Sequence, residues 1–162
     1  MKKIISIVLI TVLLLCTVSI SVSATTQREV VVSENTEYFE DGSSITTTIT
    51  QIVSNSKNLA RATRNVTGSK TKTVKNSSGD VLFKFKITAT FSVNEGVSAT
   101  CTAVSCSASD LASGWSLDSY STSKSGNTAQ AIGNFKHKTL GITNVTQQVV
   151  NTLTCSTTGT LS

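Results

Sequence analysis

The sequence predicts an all-β protein: an antiparallel β-sandwich or open barrel of six to eight strands, immunoglobulin-like in size. Three observations predict it. Apolar and polar residues alternate over 81–93, turn-forming residues recur at short intervals, and no segment shows a helical period. The composition agrees, because proline is absent and the threonine and valine that suit pleated strands are abundant.

The clearest strand covers residues 81–93. Its odd-numbered residues, from Val81 to Val93, are all apolar, and its even-numbered residues after Leu82 are Lys, Thr or Ser. Such alternation is typical of a strand with one face in a core and the other in water. At ~3.3 Å per residue the strand would span about 43 Å, so we expect a bulge or bend within it.

Turn sequences bracket this strand, with NSSGD before it and NEG after it. The other strands of the body are predicted at 66–75, 97–106, 115–123, 128–140 and 145–155. The N-terminal part adds two further candidates, 29–34 and 44–53, which the turn EDGS separates. The prediction is therefore six strands with a seventh and eighth at the N-terminal side.

The first 24 residues are typical of a secretory signal peptide. Lys2 and Lys3 precede an apolar stretch, and small residues lead up to Ala24, where cleavage is expected. An uncleaved membrane anchor and lipid attachment at Cys16 are the alternatives. We therefore expect a secreted, extracellular protein.

Charge divides the remainder of the chain. Residues 25–56 carry a net charge of −4, whereas residues 57–162 carry +7. The predicted organisation is a signal peptide (1–24), an acidic N-terminal hairpin or pro-segment (25–56), a basic linker (57–65) and a β-sandwich domain (66–162). Arg61 and Arg64 make the linker a candidate site for proteolytic processing.

Three cysteines follow the signal peptide. In an uninterrupted strand, Cys101 and Cys106 would point to opposite faces and lie ~16 Å apart, too far for a disulfide. Cys101 and Cys155 both belong to the apolar faces of their predicted strands. We therefore predict a Cys101–Cys155 disulfide, which would contribute on the order of 4 kcal/mol, and leave Cys106 as the unpaired thiol.

The sequence contains no motif that predicts catalysis, a metal site or a cofactor. Three cysteines and one histidine lack the paired spacing of a structural zinc site, and there is no C-x-x-C redox motif. A nucleophile pair of Cys106 and His137 remains open, but no motif surrounds either residue. We expect a protein that is not an enzyme.

Four lysines define a candidate binding surface. If the loop between 66–75 and 81–93 has an odd number of residues, Thr73 pairs with Phe83 and Thr71 with Phe85. Lys70, Lys72, Lys84 and Lys86 would then form a cationic grid on the outer face. The grid would protect the sheet against aggregation or bind an anionic polymer or membrane. Nucleic acid is not expected, because no aromatic residues are interleaved with these lysines.

Several segments together resemble an uncharacterised family of small, secreted, β-rich proteins from Gram-positive bacteria, clostridia and their relatives. The segments are EYFEDGS, KTVKNSSGDVLFKFKITATFSV, GW followed by SKSGNTA, and the ending LTCSTTGTLS, so the resemblance covers most of residues 37–162. It implies a bacterial, extracellular setting, in which the N-glycosylation sequons that begin at Asn65, Asn76 and Asn144 have no role. Cys101 and Cys155 match the family pattern, whereas Cys106 is peculiar to this chain. The resemblance implies no activity.

These observations favour a secreted, non-enzymatic module that associates with the cell envelope through its lysine face. The expected partner is a cell-wall polymer or a membrane surface. The alternative is a secreted antibacterial protein that proteolysis near residues 61–65 releases from its acidic N-terminal segment.

Overall fold

The computed structural model describes residues 27–54 and 63–162; for Gln27 and Ser54 only the backbone is described. The predicted signal peptide and residues 57–62 of the predicted linker lie outside the described residues. Within the described residues there are eight strands: β1 (Gln27–Tyr38), β2 (Ser44–Ser54), β3 (Thr63–Lys75), β4 (Val81–Asn94), β5 (Ser98–Ser109), β6 (Trp115–Ser125), β7 (Thr128–Thr139) and β8 (Ile142–Thr154).

The strands form two antiparallel sheets. Sheet A has the order β1-β2-β3-β4-β5, and sheet B has the order β6-β7-β8. Each strand therefore pairs with its neighbour in sequence, except that the chain passes from one sheet to the other between β5 and β6. The predicted all-β class and the sandwich are confirmed, and the eight strands are at the upper end of the expected number. The sheets stay separate, so the architecture is not a closed barrel.

The core lies between β4 and the middle of sheet B. The odd-numbered residues of β4 from Phe83 to Val93 are all buried, which confirms the predicted inner face. The ring of Phe83 stacks on that of Phe135 in β7, with centroids 3.8 Å apart. Phe85 packs edge-to-face on the same Phe135 ring, and Gly133 leaves room for this contact, because a Cβ there would lie 2.9 Å from the ring of Phe85.

Sheet A extends beyond sheet B. Strands β3, β4 and β5 pack against sheet B, whereas β1 and β2 make no comparable contact with it over the described parts of the chain. The predicted acidic hairpin is nonetheless continuous with the sandwich, since β2 pairs with β3 from Ser44 opposite Lys75 to Ile52 opposite Thr67. The start of β3 was predicted wrongly: it begins at Thr63, so 63–65 belong to a strand rather than a linker.

The C-terminal residues fold back beside the end of β8. Leu161 is buried and forms a β-bridge with Cys155. It lies over Gly68 of β3, where there is no room for a Cβ. This contact closes one end of the uncovered strip of sheet A. In the two stretches that the structure describes, no helix is long and apolar enough to cross a membrane.

Candidate functional site

The register of β3 against β4 decides where the four lysines lie. The loop Asn76–Asp80 joins Lys75 to its partner Val81, as an odd loop should. Leu82 is then an extra residue in β4, and this bulge pairs Val74, rather than the predicted Thr73, with Phe83. The bulge places the apolar Val74 in the core, and burying its side chain stabilises more than burying a threonine.

The predicted lysine grid is therefore wrong. Lys84 and Lys86 lie on the outer face of sheet A, opposite Thr73 and Thr71. Lys70 and Lys72 lie on the inner face, opposite Ile87 and Phe85. A one-residue shift of register moves every following side chain to the other face, and it divides the four lysines into two pairs.

The outer pair is neutralised. The Lys84 ammonium lies 2.6 Å from the Asp110 carboxylate, and Lys86 lies 3.5 Å from Glu29. Glu29 also accepts a hydrogen bond from the Thr50 hydroxyl, and this bond, followed by the charge of Lys86, lowers the pKa of the Glu29 carboxyl. These contacts connect β1 to β2 and β4 across the outer face. The outer lysines Lys84 and Lys86 therefore form ion pairs within or directly beside sheet A.

The inner pair, Lys70 and Lys72, lies at the border between the part of sheet A that sheet B covers and the part that it leaves uncovered. The Lys70 ammonium donates a hydrogen bond of 2.9 Å to the backbone carbonyl of Thr152 in β8. Burial, and then the charge of Lys72, lowers the pKa of Lys70. Lys72 lies two residues further along β3 and forms no ion pair with any residue in the described ranges. Two positive charges thus meet beside the edge of β8.

We call the uncovered strip beside β8 the notch. Two rows of directly opposed residues cross it from β1 to β3: Ser33, Ile49 and Lys70, and next to them Asn35, Thr47 and Lys72. Ile49 is buried, while the remaining side chains are polar and at least partly exposed. The notch therefore offers hydroxyl, amide and ammonium groups above the buried Ile49, and the adjoining row on the same face holds Glu37 opposite Ile45. Such a set binds hydroxyl-rich and anionic groups.

Asn151 holds the notch in place from β8. Its side chain is fully buried, and its amide Nδ2 donates to the carbonyl oxygens of Lys70 (2.8 Å) and Phe85 (3.1 Å). Its Oδ1 has no hydrogen-bond partner among the described residues. Sequence reasoning missed this residue, because an asparagine in an alternating strand carries no sign that it bonds to strands more than 60 residues away.

The cysteines do not pair as predicted. Cys101, Cys106 and Cys155 are all free thiols in the structure. Cys101 and Cys155 do flank the same turn, since their backbone N–H groups donate to the carbonyls of Gly126 and Asn127. Each thiol is accommodated as a small apolar side chain of the core instead.

The two cysteines of β5 also share a face, contrary to the expectation for an uninterrupted strand. Thr102 is an extra residue in β5, so Cys101 lies opposite Phe91 and Cys106 opposite Ile87, both on the inner face. Burial raises the pKa of all three cysteine thiols. A raised pKa lowers the thiolate fraction and hence the nucleophilicity of these residues.

His137 lies at one end of the core, on the same face of β7 as Ala131 and Phe135. Its ring is 5.3 Å from that of Trp115, and it lies opposite Val145 of β8. Cys106 is on β5 in sheet A, whereas His137 is on β7 in sheet B. The described part of the chain also holds no group of three His, Cys, Asp or Glu side chains that could bind a metal ion.

Searches of protein-family models, curated proteins and solved structures find no match to this chain. The proposed function consequently depends on the geometry of the molecule itself, and the resemblance to the secreted clostridial family stays a prediction.

Proposed function

We propose that the protein is a secreted, non-enzymatic β-sandwich module that binds an anionic polymer of the cell envelope in the notch. One observation carries this proposal: Lys70 and Lys72 face the strip of sheet A that sheet B leaves uncovered. The leader sequence at residues 1–24 supports export. The sequence resembles secreted proteins of Gram-positive bacteria, and the envelope of such a cell is a surface that an exported module of this kind would bind.

The charges of the notch support a polymer rather than a small ligand. Lys70 and Lys72 are separated by two residues along one strand, or about 6.6 Å at 3.3 Å per residue. This spacing suits successive charged groups of an extended chain. The hydroxyl and amide groups of Ser33, Asn35 and Thr47 lie on the same face and suit hydrogen bonds to glycerol or sugar units.

The outer lysines provide a matched control. The double variant K70Q/K72Q and the double variant K84Q/K86Q remove the same number of positive charges, so they change the net charge equally. Binding is measured by sedimentation with a poly(glycerol phosphate) polymer, with neutral dextran as the control ligand. We expect K70Q/K72Q to weaken binding about tenfold or more, and K84Q/K86Q to change it little.

Equal weakening by the two double variants would mean that only net charge matters, and the notch would then be rejected as the site. No binding by the wild-type protein would reject the proposal itself. Far-ultraviolet circular dichroism of every variant shows whether the sandwich is intact. Binding to the anionic polymer should also fall as salt rises, because exposed charges are screened.

The antibacterial alternative, with release near residues 61–65, has less support. Removing residues 25–64 would strip β1 and β2 from sheet A and expose the buried side chains of Val66 and Val74 next to an unpaired β3 edge. Intact-mass analysis of the exported protein separates the two hypotheses. A species that starts at Thr25 favours the binding module, and one that starts near Asn65 favours release.

A further inference from the structure

The hairpin between β7 and β8 carries the most exposed apolar residue in the described ranges. Leu140 is 98% exposed and Ile142 is 72% exposed. We call Leu140, Gly141 and Ile142 the hairpin tip. Isolated apolar side chains at a surface are ordinary. Here, however, two large aliphatic side chains are exposed within three residues at the end of one hairpin.

The turn geometry makes Leu140 an unexpected residue at this position. Thr139 pairs with Ile142, so Leu140 and Gly141 form a two-residue turn, with φ angles of 53° and 81°. Positive φ at both positions is typical of a type I′ turn, which favours Asn, Asp or Gly at the first position. A bulky residue with positive φ is strained. Neither the turn nor any packing within the fold accounts for leucine here.

Basic residues lie directly behind the hairpin tip. Lys138 is exposed, and its backbone N–H donates to Gly114 of the neighbouring loop. Lys136 is ion-paired with Asp118 at 2.8 Å. On the same loop as Gly114, Leu111 adds another exposed apolar side chain. Lys138 is therefore the free positive charge nearest to the apolar tip.

Acidic residues at this end of the sandwich belong to sheet A or are neutralised. Asp118 and Asp110 are paired with Lys136 and Lys84. The remaining acidic residues of this end belong to sheet A: Glu37 near the end of β1, and Glu40, Asp41 and Asp80 in the two turns that contact each other through Gly42 and Ser77. The tip on sheet B thus combines exposed leucine and isoleucine with an unpaired lysine.

We propose that the hairpin tip inserts into the surface of a lipid bilayer that contains anionic headgroups. Leu140 and Ile142 would enter the acyl region, while the Lys138 ammonium stays at the level of the headgroup phosphates. A protein partner fits this point poorly, because a standard interface buries about 800 Å² on each side. The proposal concerns a site separate from the notch and does not depend on polymer binding there.

Leu140→Asn is the informative variant, since asparagine tolerates positive φ and the hairpin should fold at least as well as in the wild-type protein. Val97→Asn is its matched control: Val97 is 71% exposed and lies in the β4–β5 turn at the opposite end of the sandwich. Binding is measured by co-sedimentation with vesicles of phosphatidylcholine alone or with added phosphatidylglycerol. The full-length mature protein is used throughout.

We expect the wild-type protein to sediment with the anionic vesicles, Leu140→Asn to bind about tenfold more weakly, and Val97→Asn to bind as the wild type does. Lys138→Gln should weaken binding about fivefold to anionic vesicles and leave binding to neutral vesicles unchanged. Emission of Trp115, the only tryptophan of the chain, should be quenched when the vesicles contain brominated lipid.

Wild-type binding that Leu140→Asn leaves unchanged would overturn the proposal, as would a wild-type protein that binds neither kind of vesicle. A self-association that Leu140→Asn abolishes in sedimentation velocity without vesicles would also overturn it, because the tip would then contact a second copy. K70Q/K72Q should retain vesicle binding, so failure of the notch hypothesis and failure of this one can be told apart.

Discussion

Val74 lies directly opposite Phe83 across β3 and β4, and both side chains are buried. The bulge at Leu82 produces this pairing, and the same bulge turns Lys70 and Lys72 toward the notch. The position of the proposed binding site is thus a consequence of which β3 residue enters the core. Packing at the end of the β3–β4 hairpin therefore decides which lysines lie on the inner face of sheet A and which on its outer face.

Val74→Ala tests this register. The substitution removes buried methyl groups and should lower the free energy of unfolding by about 1–3 kcal/mol. Thr73→Ala is the control, because Thr73 lies opposite Lys84 on the outer face, and we expect a change within about 0.5 kcal/mol. Urea denaturation followed by circular dichroism measures both. A larger loss of unfolding free energy for Thr73→Ala than for Val74→Ala would favour the register without the bulge, in which Thr73 pairs with Phe83.

Asn151→Ala should destabilise the sandwich by about 2 kcal/mol, because it removes the donor that the Lys70 and Phe85 carbonyls share. Asn134→Ala is the control: Asn134 bonds to the Ser119 hydroxyl at the surface of sheet B, so we expect little change. Equal urea midpoints for the two variants would show that the buried amide is not a structural link between the sheets.

Asn151→Asp should add a pH dependence that the wild type lacks. A carboxyl buried against two carbonyl oxygens would have a raised pKa, since burial disfavours its charged form. Its folded state would bind more protons than the unfolded state, so stability should fall as the pH rises above the ordinary aspartate range. Urea midpoints at acidic and neutral pH measure this. A change of midpoint between acidic and neutral pH equal to that of the wild type would contradict it.

Thiol titration tests the state of the cysteines. Residues 27–54 and 63–162 contain three free thiols, so denatured protein that lacks residues 1–24, and with them Cys16, should react with three equivalents of a thiol reagent when it is prepared without reductant. Since burial raises their pKa, the native protein should react more slowly near neutral pH than a small thiol does. A count of one thiol would show that two of the three cysteines form a disulfide.

Glu29→Gln should reduce the acid sensitivity of the fold. The pKa of Glu29 is lowered from 4.5 by the Thr50 hydroxyl and Lys86, so its contribution is present above that value and is lost as the pH falls through the folded-state pKa. The side chain is 52% exposed, which limits the contribution to a few tenths of a kcal/mol. Unfolding midpoints at acidic and neutral pH measure the difference.

The control for this variant is Glu40→Gln. Glu40 lies exposed in the β1–β2 turn and forms no ion pair with the residues the structure describes. It should keep the acid sensitivity of the wild type. An identical pH response for both variants would show that the link from Glu29 to β2 and β4 does not stabilise the sheet.

Local pattern determined the strands and the inner face of β4. Alternation from Val81 to Val93 has a period of two, and a strand with that period buries the same face whatever it packs against. Turn sequences such as NSSGD and SGN mark the ends of strands by their backbone preferences. For this reason the all-β class, the eight strands and the burial of Phe83 and Phe85 followed from the sequence by itself.

Only the tertiary structure decided the register, the state of the cysteines and the site. A bulge adds one residue to a strand, at Leu82 in β4 and at Thr102 in β5. Such a bulge forms where the shifted register packs better against the other sheet. The packing between the sheets depends on residues distant in sequence, as the hydrogen bond from Asn151 to the Phe85 carbonyl illustrates. Alternation is a local property, whereas the choice of which face each lysine and cysteine occupies is made by contacts that form only when the two sheets meet.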